Sequence, residues 1–152
     1  MAVKIFIAMF VAIFAATMQS TEAITEEKKT ELKAKLVPIL TECGKEHSIT
    51  LDYLKEFRQQ QKRPDESNAC FFACVFQKTG LLDDKGLFVE AKAAERSQYY
   101  AEEGELEKAN EAVKACVSVN EQSVSDGPKG CDRAKLIYNC FLDQKQHFGY
   151  VY

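Results

Sequence analysis

Six cysteines are the residues of this chain whose type and spacing most clearly imply chemistry. They are Cys43, Cys70, Cys74, Cys116, Cys131 and Cys140. Cysteine forms disulfides in oxidising compartments, binds zinc in structural sites, and acts as a nucleophile where a thiolate stays free. Structural zinc sites favour paired C-x2-C knuckles or nearby histidines. Here the closest pair is Cys70-x3-Cys74, and His47 and His147 each stand alone.

The first residues of the chain indicate that it is exported. Lys4 precedes an apolar run from Ile5 to Ala16, which is shorter than the roughly 20 residues that a helix needs to cross a bilayer. An N-terminal membrane anchor is therefore disfavoured. A positive start, a short apolar stretch and small residues before the cut are typical of a secretory signal peptide. We expect cleavage after Ala23, with the segment 16–20 as the less favoured position.

Export decides how the cysteines are interpreted. We expect residues 1–23 to be a signal peptide and residues 24–152 to form one secreted, extracellular domain. All six cysteines lie in the second part, and an even number in an oxidising compartment favours three disulfides over a metal site. The sequence therefore predicts no metal ligands and no free thiol.

Composition and motifs exclude several functions. The formal net charge is −3 and the sequence pI is near 5.5, whereas nucleic acids and anionic membranes select basic surfaces. We expect no nucleic-acid partner and no stable membrane insertion. The chain lacks a G-x-S-x-G elbow, an H-E-x-x-H motif and a glycine-rich phosphate loop. We therefore expect no enzyme activity, no catalytic residues and no cofactor.

The chain that carries the cysteines has the pattern of an all-α protein. Proline and glycine are few, and no stretch alternates apolar and polar residues as a half-buried strand does. We predict six helices. The first runs from near Thr25 to at least Cys43, the second carries Leu51, Leu54 and Phe57 and can be capped by Thr50, and the third lies between a cap at Asp65 or Ser67 and a stop at Gly80. The other three run from Phe88 to Tyr100, from Glu105 to Val119, and from Cys131 to Leu142. Pro38 is expected to kink or split the first helix. The run from Ala69 to Phe76 is apolar on every face, so protein should surround the third helix.

Helical geometry limits the disulfide pattern. Cys70 and Cys74 project from nearly the same side of the third helix. They cannot bond each other there, because Cβ atoms at this spacing lie roughly 5–6 Å apart, against about 3.8 Å in a disulfide. Cys131 and Cys140 lie on opposite sides of the last helix. Each member of both pairs should therefore reach a different element, although spacing alone leaves about 15 possible pairings of six cysteines.

The cysteine spacing resembles a known signature. The chain reads Cys43-x26-Cys70-x3-Cys74-x41-Cys116-x14-Cys131-x8-Cys140, which is similar to the six-cysteine pattern of the insect odorant-binding proteins, the pheromone- and general-odorant-binding family. This resemblance implies a compact bundle of six helices, cross-linked by three disulfides around an internal apolar cavity. It further implies three pairs: Cys43–Cys74, Cys70–Cys131 and Cys116–Cys140.

The resemblance also implies a function. The protein would be a secreted carrier that binds small hydrophobic molecules, odorants or pheromones, in an internal pocket and delivers them to chemosensory receptors. The alternative is a non-sensory carrier of similar ligands in haemolymph, saliva or glands. The expected partners are a small apolar ligand and a chemosensory receptor, and the expected state is a monomer or a weak homodimer.

Candidate ligand contacts follow from the helix pattern and the resemblance together. Phe72 and Phe76 face away from the cysteines of the third helix, and the resemblance turns that side toward the cavity. Further candidates, which either line the pocket or fill the core, are Leu36, Phe57, Leu81, Leu82, Val113 and Phe141. The aromatic tail offers Phe148, Tyr150 and Tyr152, which we expect to close over the opening, the alternative being packing on the outside.

Overall fold

The computed structural model describes residues 26–100 and 106–144. Six α-helices occupy most of this part of the chain. They are α1 (Glu26–His47), α2 (Leu51–Gln59), α3 (Ala69–Lys78), α4 (Glu90–Tyr100), α5 (Leu106–Cys116) and α6 (Cys131–Gln144). Two short 3-10 helices, Val117–Glu121 and Gly127–Lys129, lie between α5 and α6. The predicted all-α bundle of six helices with three disulfides is confirmed.

Two predicted boundaries at the first helices have different outcomes. Thr50 caps α2 as expected, because its hydroxyl accepts a hydrogen bond from the backbone N–H of Tyr53 at 3.1 Å. Pro38 does not split α1, which runs unbroken from Glu26 to His47. Pro38 and Ala34 are exposed, so water can satisfy the carbonyl that the proline leaves without its helical donor.

The start of α3 differs from the prediction. The helix begins at Ala69 and its N-cap is Asn68, rather than Asp65 or Ser67. Asp65 and Asn68 instead form a turn ahead of the helix. The backbone N–H of Asp65 donates to Oδ1 of Asn68 at 3.0 Å, and the Asp65 carboxylate accepts from the N–H of Ser67 at 2.9 Å. The hydroxyl of Ser67 also donates to the Asp65 carboxylate, so both candidate capping groups bond each other ahead of the helix.

The helices on either side of residues 101–105 are shorter than predicted. Helix α4 begins at Glu90, not Phe88, because Phe88 is held in an extended pairing. Its N–H donates to Oδ1 of Asn120 at 2.8 Å, its carbonyl accepts from Nδ2 of Asn120 at 2.9 Å, and it forms an isolated antiparallel bridge with Leu82. Helix α5 ends at Cys116 and continues as the 3-10 helix to Glu121.

Five of the helices follow one another around a closed ring. Helix α1 packs on α3, α3 on α6, α6 on α5, α5 on α4, and α4 on α1. The α3–α6 contact is the most extensive of the five, and the α1–α4 contact is the slightest. Helices on opposite sides of the ring make at most marginal backbone contact within the described residues. Side chains therefore occupy the middle of the bundle, not helix backbones.

Helix α3 is the most buried element of the ring. Its buried residues are Ala69, Phe71, Phe72, Ala73, Cys74 and Val75. The sequence prediction that protein surrounds the third helix is confirmed, with Cys70 and Phe76 half-buried. Ile137 and Ala134 of α6 are fully buried, which gives α3 a closely packed partner.

Candidate functional site

The three disulfides determine which ring contacts are permanent. They join Cys43 to Cys74, Cys70 to Cys131, and Cys116 to Cys140, which are the pairs that the resemblance implies. The first bond ties α1 to α3, the second ties α3 to α6, and the third ties α5 to α6. None of the cysteines is free.

Helix α4 has no covalent tie. Three of the five ring contacts are closed by disulfides, and the two remaining contacts both belong to α4. Within residues 90–98, its buried residues are small: Ala93 is 4% exposed and Ser97 is 5% exposed. The Ser97 hydroxyl donates to the Ala93 carbonyl within the helix at 3.1 Å. With no disulfide and no large buried apolar side chain within residues 90–98, α4 is the ring element that separates most easily.

The structure brings three predicted ligand residues into one aromatic cluster. Ring centroids lie 5.4 Å apart for Phe57 and Phe72, and 6.5 Å apart for Phe72 and Phe76. Tyr138 of α6 completes this cluster at 4.8 Å from Phe72 and 5.8 Å from Phe57. Phe57 and Phe72 are buried, whereas Phe76 and Tyr138 are half-buried. The cluster therefore has a core side and a side that is accessible.

The other predicted ligand residues divide between core and partial exposure. Leu82 and Val113 are each 2% exposed, so they fill the core in this structure. Leu81 is half-buried, and so is Phe141, whose ring meets Phe88 edge-on at 5.8 Å between centroids. These residues do not gather around one enclosed space.

A groove between α1 and α4, with a volume of about 150 Å³, is more enclosed than a second, shallow pocket of about 490 Å³ on the surface of α5. We name the first of these the α1–α4 groove. It is lined by Glu31, Leu32, Lys35, Leu36, Ile39, Thr79, Glu95 and Arg96. Leu36 is thus the predicted ligand residue that lines it. The α1–α4 groove is small for the internal apolar cavity that the resemblance implies, because buried side chains occupy much of the bundle's interior.

Two faces of different character form the α1–α4 groove. Leu32, Leu36 and Ile39 recur on α1 at helical spacing and are half-buried, so they give an apolar stripe. The opposite side carries the half-buried Arg96 of α4. Its Nη2 donates to the backbone carbonyl of Thr79 at 2.8 Å, which links α4 to the end of α3.

Both acids of the α1–α4 groove have ammonium partners. Nζ of Lys35 lies 2.6 Å from Oε1 of Glu31, and Nζ of Lys92 lies 2.8 Å from Oε2 of Glu95. The hydrogen bond from Lys35 and its charge lower the pKa of Glu31. The hydrogen bond from Lys92 is the main cause that lowers the pKa of Glu95, with a smaller contribution from the charge of Arg96. Both carboxylates are therefore ionised at neutral pH.

Sequence reasoning missed two residues. Tyr138 lies four residues after Ala134 on the buried stripe of the last helix, so helical periodicity alone was sufficient to find it. Burial raises the pKa of its hydroxyl above the usual value. Arg96 gave no comparable signal, because in sequence it is one charge on an ordinary amphipathic helix. Its role depends on the position of Thr79, which only the fold supplies.

One group of potential metal ligands exists among the described residues. Ligand atoms of Glu46, His47 and Cys74 lie within 4.8 Å of one another. Cys74 is bonded to Cys43, however, so it offers no thiolate. The ammonium of Lys78 also lies 3.6 Å from the Glu46 carboxylate. We assign no metal site to this group.

Several predictions fall outside the described residues. The signal peptide 1–23 lies there, and so do Phe148, Tyr150 and Tyr152 of the tail. His147 also lies outside the described part. Among residues 26–100 and 106–144, each helix is too short or too polar to serve as a membrane span.

Comparison with known protein families decides the relationship of the chain. The sequence model of the PBP/GOBP family matches residues 25–144, which is nearly the whole part that carries the six cysteines. The chain belongs to the PBP/GOBP family. The resemblance seen in the cysteine spacing is thereby confirmed.

Matches to individual proteins are either short or of low sequence identity. The chain is 36% identical over 44 residues to odorant-binding protein 22 of Aedes aegypti, a match that covers 29% of this chain and 32% of that protein. The chain thus spans about a third of the length of that relative. Among solved structures, it is similar to the odorant-binding protein dmelOBP28a from Drosophila melanogaster, with a TM-score of 0.64 and 25% identity over 82% of this chain and 99% of that one. It is also similar to the fatty acid binding protein OBP56a from the oral disk of the blowfly Phormia regina, with a TM-score of 0.55 and 26% identity over 86% and 99%.

Proposed function

We propose that the protein is a secreted carrier, not an enzyme, and that it binds small hydrophobic molecules reversibly. The observation that carries this proposal is the family match over residues 25–144. The α1–α4 groove and the half-buried aromatic residues Phe76 and Tyr138 supply apolar contact surface in support. Odorants or pheromones are the proposed cargo, and delivery to chemosensory receptors is the proposed use. The carrier acts as a monomer or a weak homodimer.

Ligand binding requires the ring to open at α4. Typical ligand pockets have volumes of about 300–1,000 Å³, and the α1–α4 groove offers about 150 Å³. The additional space comes from displacement of α4, because that helix has no disulfide and packs through Ala93 and Ser97. The ligand then lies against the apolar stripe of α1 and displaces half-buried side chains.

The expected affinity is moderate. Burial of a twelve-carbon chain contributes roughly 10 kcal/mol at about 0.8 kcal/mol per methylene group. The lost translational and rotational freedom opposes this by at least about 4 kcal/mol. The difference corresponds to a Kd of tens of micromolar, and one hydrogen bond brings it to roughly micromolar. Such affinities suit uptake and release.

Displacement of a fluorescent apolar probe tests the carrier function. We expect the folded, fully oxidised protein to bind N-phenyl-1-naphthylamine and to release it when dodecanol is added. Leu36→Asp places a charge in the α1–α4 groove and should abolish probe binding. Val37→Asp is the matched control, since Val37 is the next residue on the same helix and is 45% exposed. Absence of probe binding by the unmodified protein would refute the carrier proposal.

We also propose that the tail from Phe148 to Tyr152 covers the bound ligand. The support is its composition, since three of its five residues are aromatic and aromatic rings bury large areas. Deletion of residues 148–152 should weaken dodecanol binding several-fold. Unchanged affinity would show that the tail plays no part in ligand binding.

The second candidate is a non-sensory carrier in haemolymph, saliva or glands. The similarity to a blowfly protein named as fatty acid binding and taken from the oral disk favours this reading. The two candidates differ in the tissue of expression. In situ hybridisation that finds the transcript in antennal sensilla supports the sensory role, and a transcript confined to gland or gut supports the alternative.

A further inference from the structure

The α1–α4 groove holds four charged residues, and their pairing is unequal. Each of the two acids has its own ammonium partner, Lys35 for Glu31 and Lys92 for Glu95. The hydrogen-bond acceptor of Arg96 is instead the neutral carbonyl of Thr79, at 2.8 Å from Nη2. Within the described residues, no carboxylate lies at ion-pair distance from the Arg96 guanidinium. Arg96 is thus held in place by a hydrogen bond to a neutral group, and no carboxylate of the described residues pairs with its positive charge.

The hydrogen bond to Thr79 also orients the guanidinium. Thr79 is the C-cap of α3, and carbonyls at a helix C-terminus carry partial negative charge that favours a cation. A guanidinium has five N–H donors in a planar fork, and the contact with Thr79 uses Nη2. The remaining donors suit a planar anion with two oxygens, because arginine binds carboxylates through two parallel hydrogen bonds.

An apolar surface lies opposite this cation. Leu32, Leu36 and Ile39 of α1 line the same groove. A volume of about 150 Å³ equals that of about five waters, which accommodates a carboxylate head and the first few carbons of a chain. The groove thus combines one fixed positive group with one hydrocarbon wall, the complement of an amphiphile with an anionic head.

We propose that Arg96 binds the carboxylate of a fatty-acid-like ligand whose hydrocarbon chain lies along Leu32, Leu36 and Ile39. This inference rests on the proposed carrier function and narrows its cargo from apolar molecules in general to carboxylate amphiphiles. The carboxylate of Glu95 repels the bound anion, because Glu95 adjoins Arg96 on α4. Its ion pair with Lys92 weakens this repulsion.

Calorimetric titration of two matched ligands tests this assignment. Dodecanoate and dodecanol share a chain length and differ in the charge of the head. At pH 7 and low salt, we expect Arg96→Gln to weaken dodecanoate binding at least tenfold, since hydrogen bonds to charged groups are the strong ones. Dodecanol binding should change less than about twofold. Arg96→Lys should recover part of the dodecanoate affinity, because it keeps the charge but loses the fork.

A variant that is expected to strengthen dodecanoate binding separates the role of charge from simple damage to the fold. Glu95→Gln removes the negative neighbour of Arg96 and should strengthen dodecanoate binding about two- to threefold, again without change for dodecanol. Lys108→Gln on the exposed face of α5 controls for the loss of one positive charge. Unchanged dodecanoate affinity in Arg96→Gln, or an equal loss for both ligands, would overturn the role of Arg96. If the unmodified protein bound neither ligand, the carrier function itself would fail.

Discussion

The α3–α6 contact and the α1–α4 contact are two joints of one ring of helices, and different kinds of interaction hold them together. The α3–α6 joint has the Cys70–Cys131 bond and the contact between the rings of Phe72 and Tyr138. The α1–α4 joint has partly exposed aliphatic side chains, its ion pairs lie within each helix, and Arg96 of α4 bonds a carbonyl of α3 and not of α1. A joint of the first kind is permanent, whereas a joint of the second kind can separate at low cost. The fold therefore keeps its stability at the α3–α6 joint and can admit a ligand at the α1–α4 joint.

Removal of the bond across α3 and α6 should have the largest effect on stability. Cys70 and Cys131 are 61 positions apart, so their cross-link contributes about 4 kcal/mol in the chain-entropy model. We expect Cys70→Ala combined with Cys131→Ala to lower the free energy of unfolding by that amount, as measured by urea denaturation with circular dichroism. The matched variant, Cys116→Ala combined with Cys140→Ala, opens a span of 24 positions and should lose about 1 kcal/mol less. Equal losses would mean that loop length does not govern the contributions.

Truncation of one side chain from each joint compares them directly. Phe72 is 7% exposed within the aromatic cluster, and Phe72→Ala should destabilise the protein by about 3 kcal/mol, because Phe57 and Tyr138 refill the space only in part. Leu36 is half-buried in the α1–α4 groove, so Leu36→Ala should lower stability by about 1 kcal/mol. Thermal unfolding of both variants measures the contrast. A Leu36 variant as destabilised as the Phe72 variant would remove the distinction between the joints.

Two glycines with the same backbone conformation differ in how closely other groups pack against them. Gly80 and Gly86 have nearly the same positive φ, +74° and +75°, so alanine brings the same backbone strain of about 1 kcal/mol at each. A Cβ on Gly86 would lie 2.5 Å from the carbonyl oxygen of Gly127, whereas one on Gly80 meets nothing closer than the Lys92 side chain at 3.7 Å.

We therefore expect Gly86→Ala to destabilise the protein by about 2–3 kcal/mol and Gly80→Ala by about 1 kcal/mol. Chemical denaturation of the two variants under one set of conditions is the measurement. Equal effects would show that the loop around Gly127 moves aside freely, so that the 2.5 Å contact with its carbonyl oxygen costs nothing.

Lowering the pH should produce the smallest difference in stability between variants at the α3–α6 joint and variants at the α1–α4 joint. The N–H and the hydroxyl of Ser125 both donate to Oδ2 of Asp132 at the start of α6, at 2.9 and 2.7 Å, and they lower the pKa of Asp132 in the folded state. A lowered folded-state pKa gives stability that is present above the unfolded pKa, near 3.8, and is lost as the pH falls through the folded value.

We expect Asp132→Asn to flatten the decline of the melting temperature below about pH 4. Glu95→Gln in the α1–α4 groove should flatten it less, because Glu95 is paired with the flexible Lys92 on an exposed surface. Melting curves between pH 2 and pH 6 test this order. A larger effect at Glu95 would contradict it.

The helices and the cysteine pairs were accessible from the sequence for different reasons. Glycine, proline and the capping residue Thr50 mark helix ends locally, so six helices were predicted from neighbours in the chain. The disulfide pairs were not, since geometry excluded some pairings and only the family pattern selected Cys43–Cys74, Cys70–Cys131 and Cys116–Cys140. The apolar run from Ala69 to Phe76 predicted that protein surrounds Phe72, and only the resemblance turned its side of the helix toward the cavity.

What escaped prediction depends on contacts between distant segments. Asn120 holds both backbone groups of Phe88, and this shifts the start of α4, yet nothing in the local sequence around Phe88 indicates it. Arg96 and Thr79 meet only because α4 lies beside the end of α3. The filling of the bundle's interior is of the same kind, because side-chain volumes from five helices decide it jointly.

The pattern of cross-links has a consequence for survival in a protease-rich fluid. Cys43, Cys70 and Cys74 precede any break in the chain between residues 75 and 115, and Cys116, Cys131 and Cys140 follow it. In a molecule nicked anywhere in that span, α4 included, the Cys70–Cys131 bond is the one covalent link between the two fragments. Proteolysis at the exposed Asp84 or Lys85, ahead of α4, would thus leave both fragments covalently attached until a reductant cleaved that disulfide.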